Sequence, residues 1–227
     1  MSRKDKGFAN EPKIVYILGA GGMAREVLEM YRSSGRVNEV EGFVVSEKKR
    51  ARNIKGKKVF IDKEIILDNK RVFFIGAIGN PIRRKWIEKL IDRGGEFDNI
   101  IHTSAIIGKS VKHGLGNIIC ANSVLTDNIV ISDHVIINVG ATINHDCKVG
   151  SYVTIGPGVH IGGRVSIGDG TFVGIGVLIK EQIKIGSNVF IGAGAVVVDD
   201  IPDNVLVYGS PARVIKKIDE DYLKNLI

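Results

Sequence analysis

With 227 residues, 44% of them hydrophobic and 25% charged, the chain has room for one large or two small units of ordinary globular composition. No apolar run reaches membrane-spanning length, and Met1–Pro12 lacks the apolar centre of a signal peptide, so it reads as a flexible tail, while the two cysteines, Cys120 and Cys147, point to a reducing, cytoplasmic setting without a structural disulfide. The net charge of +7 is dispersed and aromatics make up only 6%, which argues against nucleic acid and suits small polyanions such as nucleotides.

Lys13–Leu18 is a short apolar run that reads as a strand, and Gly19-Ala-Gly21-Gly22 follows it directly. Met23–Arg32 has helical spacing, with Val27, Leu28 and Tyr31 on one side. Val40–Val45 and Val72–Ala77 read as further strands. The basic runs Lys48–Arg52 and Lys55–Lys58 between them read as solvated flanks of a loop. Ile82–Asp92 is amphipathic. Trp86, Ile87, Leu90 and Ile91 are expected inward, with Arg83, Arg84, Lys85 and Lys89 outward. Gly94-Gly95 ends that helix. Strands alternating with helices predict a small parallel α/β domain over residues 13–96. The loop after the first strand satisfies G-x-G-x-x-A through Ala24. Such a turn lets a backbone approach a phosphate at a helix N-terminus. The domain is short for a dinucleotide fold, and no acidic residue sits about twenty positions beyond the loop. A nucleotide diphosphate is the favoured ligand, and a purely structural turn is the alternative.

From Ile101 the pattern changes to a period of six. Of seventeen successive slots between Ile101 and Val197 only His113 is not aliphatic, and the twelve from Ile131 onward run unbroken. The position four further on is mostly small or β-branched, as at Ala141, Cys147, Val153 and Val159. Neither a helix nor a flat strand can use that period, whereas a hexapeptide β-helix can. Each hexad then forms one side of a triangular coil, and residues 97–206 make up this second domain. Val207–Arg213 reads as an extended loop, and Ile218–Ile227 as a short helix capping the prism, within a terminal segment 207–227. Open coil ends expose strand edges, so a cap is physically needed.

Four motifs together, Gly19-Ala-Gly-Gly22, Ala77-Ile-Gly-Asn80, Asn144-His-Asp146 inside the hexads and Gly209-Ser-Pro-Ala-Arg213, resemble the bacterial sugar O- and N-acyltransferases. The nearest relatives in that family act on sialic acid or on nucleotide-linked 4-amino sugars. The resemblance runs from Lys13 to Lys217. It implies a Rossmann-like nucleotide-sugar-binding domain followed by a left-handed parallel β-helix, a homotrimer with sites between subunits, and acetyl-coenzyme A as co-substrate with no metal. It assigns His145 as catalytic base, Asp146 as its acidic partner and the Gly163 backbone N–H as the donor facing the thioester carbonyl. It places substrate contacts at Gly19, Gly21, Gly22, Met23, Gly79 and Asn80. Coenzyme contacts fall at Gly163, Gly174, Ile175, Gly192, Ala193, Arg213 and Lys216. Two departures stand out. Many relatives carry His where this chain has Met23. Many also carry an Asp pair where it reads Phe43-Val-Val-Ser46, so recognition of the base differs.

Acyl transfer from a thioester needs a base for the attacking amine or hydroxyl and a donor for the tetrahedral oxyanion. His145 occupies neither inward slot of its hexad and should point outward. Asp146 reaches it only if the pair lies at a coil corner, because neighbouring strand residues face opposite ways. Cys147 fills an inward slot and reads as structural. The favoured function is N-acetylation of a nucleotide-linked amino sugar. O-acetylation of a sialic-acid-like sugar and a non-catalytic trimeric scaffold are the alternatives, with a zinc hydratase built on His134, His145 and His160 as a remote fourth.

Overall fold

A computed structural model describes residues 12–46, 52–65, 67, 71–81 and 83–219. The expected tail up to residue 11, most of the run Lys48–Arg52, the first residue of the second helix and nearly all of the expected cap helix lie outside them. The N-terminal unit runs β1 (Ile14–Leu18), α1 (Gly22–Ser33), β2 (Val40–Val45), β3 (Asn53–Ile54), β4 (Lys57–Ile61), β5 (Val72–Gly76), α2 (Arg83–Asp92) and β6 (Glu96–Phe97). Its sheet has the order β3-β4-β2-β1-β5-β6, parallel apart from the β3–β4 pair. From β1 the chain moves to β2 on one side and later to β5 on the other. The order therefore reverses at the carboxyl end of β1, where open α/β sheets bind their ligands.

Two expectations need correction here. Lys57–Ile61 is a strand, paired with β2, because Val59 faces the core at 4% exposure while the lysines flank it. The helix α2 is rotated from its predicted face. Ile87 and Leu90 are buried, but Ile91 is exposed and Arg83 is buried. Its first turn meets a second surface, so a charged residue goes inward there.

The second domain is a parallel β-helix whose strands of two residues stack in steps of eighteen, as in Ile118 onto Ile136 and Ile136 onto Thr154. The first face holds Ile100–Ile101 through Phe190–Ile191. The second runs from Ile106–Ile107 to Val196–Val197, and the third from Lys112–His113 to Lys184–Ile185. The period-six aliphatics and the position four beyond them form one continuous core. Every sixth backbone from Gly116 to Gly194 has φ between 50° and 72°. This left-handed residue turns each corner and falls three positions after the aliphatic slot, not at the glycine-rich position just after it. Asn and Asp accept that conformation at low cost; His134, Tyr152, Arg164 and Gln182 do so at roughly 1–2 kcal/mol each.

The three outer faces differ. The first is covered by the N-terminal domain, whose core merges with Ile100, Ile118, Cys120 and Ile136. The third is solvated by Lys112, Lys148 and Lys184. The second is uncovered and largely apolar, with Ile106 and Leu178 exposed. Residues 207–213, expected as a loop, belong to a hairpin. Val205–Tyr208 extends the first face and Arg213–Lys217 returns antiparallel to it, around a cis Ser210–Pro211 bond. Ile218 closes over Phe190 and Leu206. No helix among the described residues is long and apolar enough to cross a membrane.

Candidate active site

The hexad Ile143–Lys148 places Thr142–Ile143 in the second face and Lys148–Val149 in the third, so His145 and Asp146 form the corner between them. The left-handed Asp146, at φ 61°, swings its carboxylate back beside its neighbour. His145 Nδ1 stands 2.8 Å from Asp146 Oδ2. The corner geometry meets the condition for the pair to touch. Asp146 also accepts from Asn128 Nδ2 at 2.7 Å, one coil below, and lies 4.0 Å from Arg164 Nε, one coil above. Hydrogen bonds from His145 and then Asn128 hold its carboxyl below the ordinary range, so it stays an acceptor. With Nδ1–H donating to this carboxylate, Nε2 carries the lone pair.

Nε2 points at the next coil. A Cβ built on Gly163 would lie 2.7 Å from both Nε2 and Cε1 of His145. Gly163 does not have positive φ, so the imidazole, not the backbone, leaves no room for a side chain there. The Gly163 carbonyl accepts from Gln182, and Arg164 N–H donates to the His145 carbonyl at 2.8 Å. No hydrogen bond within the described residues uses the Gly163 N–H. The corner thus presents an exposed imidazole nitrogen beside a glycine amide, the two groups that acyl transfer needs.

The residues assigned to the coenzyme separate into kinds. Gly174 and Gly192 are glycines for reasons internal to the fold. A Cβ on Gly174 would meet Ile191 O at 2.7 Å, and one on Gly192 would meet the Tyr208 ring at 1.8 Å. Ile175 and Ala193 are exposed at the corner between the first and second faces, on an apolar ridge with Val139 and Pro157. Arg213 is exposed and donates to Asp199 at 3.4 Å. Asp199 shares the corner column of His145 and Gly163, three coils above the imidazole, roughly 14 Å at the usual strand spacing. Lys216 is exposed on the same hairpin strand.

The predicted substrate residues gather at the carboxyl ends of β1 and β5. Gly19, at φ 101°, packs against Ala77 O and the Ile78 side chain, so it serves the turn. Gly21 and Gly22 have nothing within 4 Å of a built Cβ, and neither does Gly79. The α1 N-terminus has no side-chain cap hydrogen bond and no acid in its first turn. Met23 is half-buried against the core, and Asn80 is buried.

Sequence reasoning missed the junction that holds these loops. Arg83, Thr154, Tyr152 and His134 meet under the Gly79–Asn80 turn. The His134 ring is stacked on Tyr152 at 5.1 Å and edge-on to Phe97 at 4.7 Å. Burial pushes His134 down to about 4. Its ring is walled off, and His160 lies on the second face bonded to Thr142, so His134, His145 and His160 do not converge within the chain. Among the described residues no cluster of three or more His, Cys, Asp and Glu could hold a metal ion. Cys147 is buried with its thiol donating to Gly162 O at 3.2 Å.

The family described as the PglD N-terminal domain matches residues 14–90, and the bacterial transferase hexapeptide family matches 128–163 and 164–199. Three solved structures are similar across almost the whole chain. PerB from Caulobacter crescentus, solved with CoA and GDP-perosamine, is 34% identical with a TM-score of 0.82, covering 89% of this chain and 97% of that one. The acetyltransferase domain of PglB from Neisseria gonorrhoeae, solved with acetyl coenzyme A, is 31% identical with a TM-score of 0.80, covering 91% and 100%. WeeI from Acinetobacter baumannii is 29% identical with a TM-score of 0.81, covering 89% and 100%. With that identity carried along both domains, the chain belongs to the bacterial sugar acetyltransferases that join a PglD-type α/β domain to a left-handed hexapeptide β-helix.

Proposed function

We propose that this acetyltransferase moves an acetyl group from acetyl-coenzyme A to the amine of a nucleotide-linked amino sugar, with His145 as general base. The observation that carries the reading is the corner itself: an imidazole oriented by Asp146 at 2.8 Å, its free nitrogen set against Gly163. The amine attacks the thioester carbonyl as Nε2 takes its proton. The Gly163 N–H faces the carbonyl oxygen as it gains charge, and the thiolate leaves without a covalent enzyme intermediate. Ile175, Ala193, Arg213 and Lys216 mark the path of the coenzyme, and Gly174 and Gly192 let the coils beneath it stack. Gly21, Gly22, Met23, Gly79 and Asn80 receive the nucleotide-sugar, with its diphosphate at the α1 N-terminus. The ligands bound by PerB and PglB, GDP-perosamine with CoA and acetyl coenzyme A, support this substrate class. A cytoplasmic setting supplies both.

The active unit is a homotrimer. The glycine loops lie against the first face, since Thr154 on that face donates to Gly79 O at 2.7 Å. His145 occupies the opposite corner, on the order of 15 Å away across a prism with six-residue sides. One chain therefore cannot bring its own sugar to its own imidazole, and a second copy completes each site. The uncovered second face, with Ile106, Val124 and Leu178, and the ridge of Val139 and Ile175 are the surfaces for that copy.

The test is coupled thiol release with GDP-perosamine as amine acceptor and a sialic acid as hydroxyl acceptor. The reading predicts turnover with a nucleotide-linked amine and none with the hydroxyl acceptor. Turnover with the hydroxyl acceptor alone contradicts it.

A further inference from the structure

Arg83 is 2% exposed, and among the described residues its hydrogen-bond acceptors include no carboxylate. Its guanidinium donates instead to main-chain oxygens of His134 at 2.7 Å and of Tyr152 and Val153 at 3.1 Å. It also donates to Thr154 Oγ1 at 2.8 Å and to Gly79 O at 3.4 Å. Thr154 Oγ1 in turn donates to Gly79 O at 2.7 Å. A buried cation held only by carbonyl and hydroxyl dipoles, with its Nε lacking a hydrogen-bond partner among the described residues, is costly. A fold that needed only a packed junction would do as well with an apolar residue. What the arrangement supplies is geometry. His134 belongs to one coil and Tyr152–Thr154 to the next, so the planar fork spans two successive coils. It fixes the height of the Gly79 carbonyl along the column, and an ammonium could not reach the same set of acceptors.

We propose that Arg83 and Thr154 are positioning residues that set the register of the Gly79–Asn80 substrate turn against the β-helix. They thereby set the height at which the sugar amine is presented to His145 of a neighbouring copy. This rests on the functional reading above, in which that turn holds the nucleotide-sugar. The prism is rigid, and Thr154 lies nine residues beyond His145 on the same coil path. The height of the turn relative to Thr154 is then also its height relative to every His145 in a symmetric assembly. A misplacement near 1 Å can cost on the order of 10²-fold in rate.

The test uses Thr154→Val, which keeps shape and leaves Arg83 in place, together with Arg83→Lys and Arg83→Met. Kinetics are measured with acetyl-coenzyme A and GDP-, UDP- and dTDP-linked 4-amino sugars, and amide exchange is followed at residues 77–80. Thr154→Val is expected to lower acceptor kcat/KM by about 10- to 100-fold. The KM for acetyl-coenzyme A should stay within about twofold of wild type, and amide exchange in the turn should quicken. Arg83→Met should do the same more strongly, and Arg83→Lys should not rescue it. If Thr154→Val keeps acceptor kcat/KM within twofold while wild type is active, the inference falls and the functional reading stands. The inference falls in the same way if the variants lose affinity for both substrates and melting temperature together. A wild type that acetylates none of the three nucleotide-linked sugars overturns the functional reading and this inference with it.

Discussion

The prism carries two adjacent histidine–aspartate pairs, and the fold gives them opposite fates. In Asp133-His134 the histidine occupies the left-handed corner position, and the N-terminal domain closes over it. Phe97 and Tyr152 sandwich the ring, Arg83 lies close by, and burial pushes it down to about 4. In His145-Asp146 the aspartate takes the left-handed position. The histidine is left one step earlier, half-exposed, with Nδ1 on the carboxylate and Nε2 on Gly163. The same two residue types, shifted by one place in the hexad and set at different corners, become a structural plug in one case and, in the proposed reading, a base in the other. Sequence proximity of acid and imidazole is therefore no measure of function; the slot and what covers it decide.

The largest expected effect breaks that contrast at the open corner. His145→Ala should lower turnover by roughly 10²–10⁴-fold while acetyl-coenzyme A still binds by calorimetry. If its turnover stays within a few-fold of wild type, the assignment of the base is wrong. At the covered corner the effect should appear in stability instead. His134 resists the proton that the unfolded chain accepts near its ordinary value of 6.5. Stability contributed by keeping it neutral is complete above that pH and is lost as pH falls toward 4, by on the order of 3 kcal/mol. Denaturant titrations between pH 7.5 and 4.5 measure it. His134→Asn, which tolerates the left-handed backbone, should flatten the slope; an unchanged slope would place the titrating group elsewhere.

A finer contrast separates glycines that serve the coil from those that the proposed reading assigns to chemistry. Gly192→Ala drives a methyl into the Tyr208 ring and should cost about 1–3 kcal/mol by thermal melting. Gly163→Ala has its three nearest contacts on the His145 ring, so its cost should fall on turnover while melting changes little. Equal melting losses in the two variants would erase the distinction. The smallest effect is at the nucleotide loop. Gly22→Ala has open space and helical backbone, so stability should rise by about 0.4–1 kcal/mol. Loss of stability there would show that the glycine serves packing, not ligand approach.

Much of this was legible from residue spacing. The period of six fixed the prism and its core, because each inward slot must be apolar. The strand–glycine–helix start fixed β1, its turn and α1. What stayed hidden depends on contacts between domains. Arg83 sits on the polar side of a helix judged from its own periodicity and turns inward only because the β-helix supplies carbonyls. Nothing in the spacing of His134 on the prism showed that the N-terminal domain would cover it. The β4 strand was masked by its lysines, although Lys57-Lys-Val-Phe-Ile61 holds the apolar residue that β2 needed. The Asp146–His145 contact required the left-handed corner, whose regular recurrence at the third position shows in the backbone and only weakly in residue type.

Subunit mixing tests the central claim most directly. His145→Ala removes the base but keeps the nucleotide loop. Gly22→Glu keeps the base but sets a carboxylate at the uncapped helix start where the diphosphate should bind. Each alone should be inactive. If one copy's loop serves another copy's imidazole, unfolding and refolding the two variants together at equal amounts should restore roughly a quarter of the wild-type sites. Mixed trimers that form and stay inactive would contradict the account.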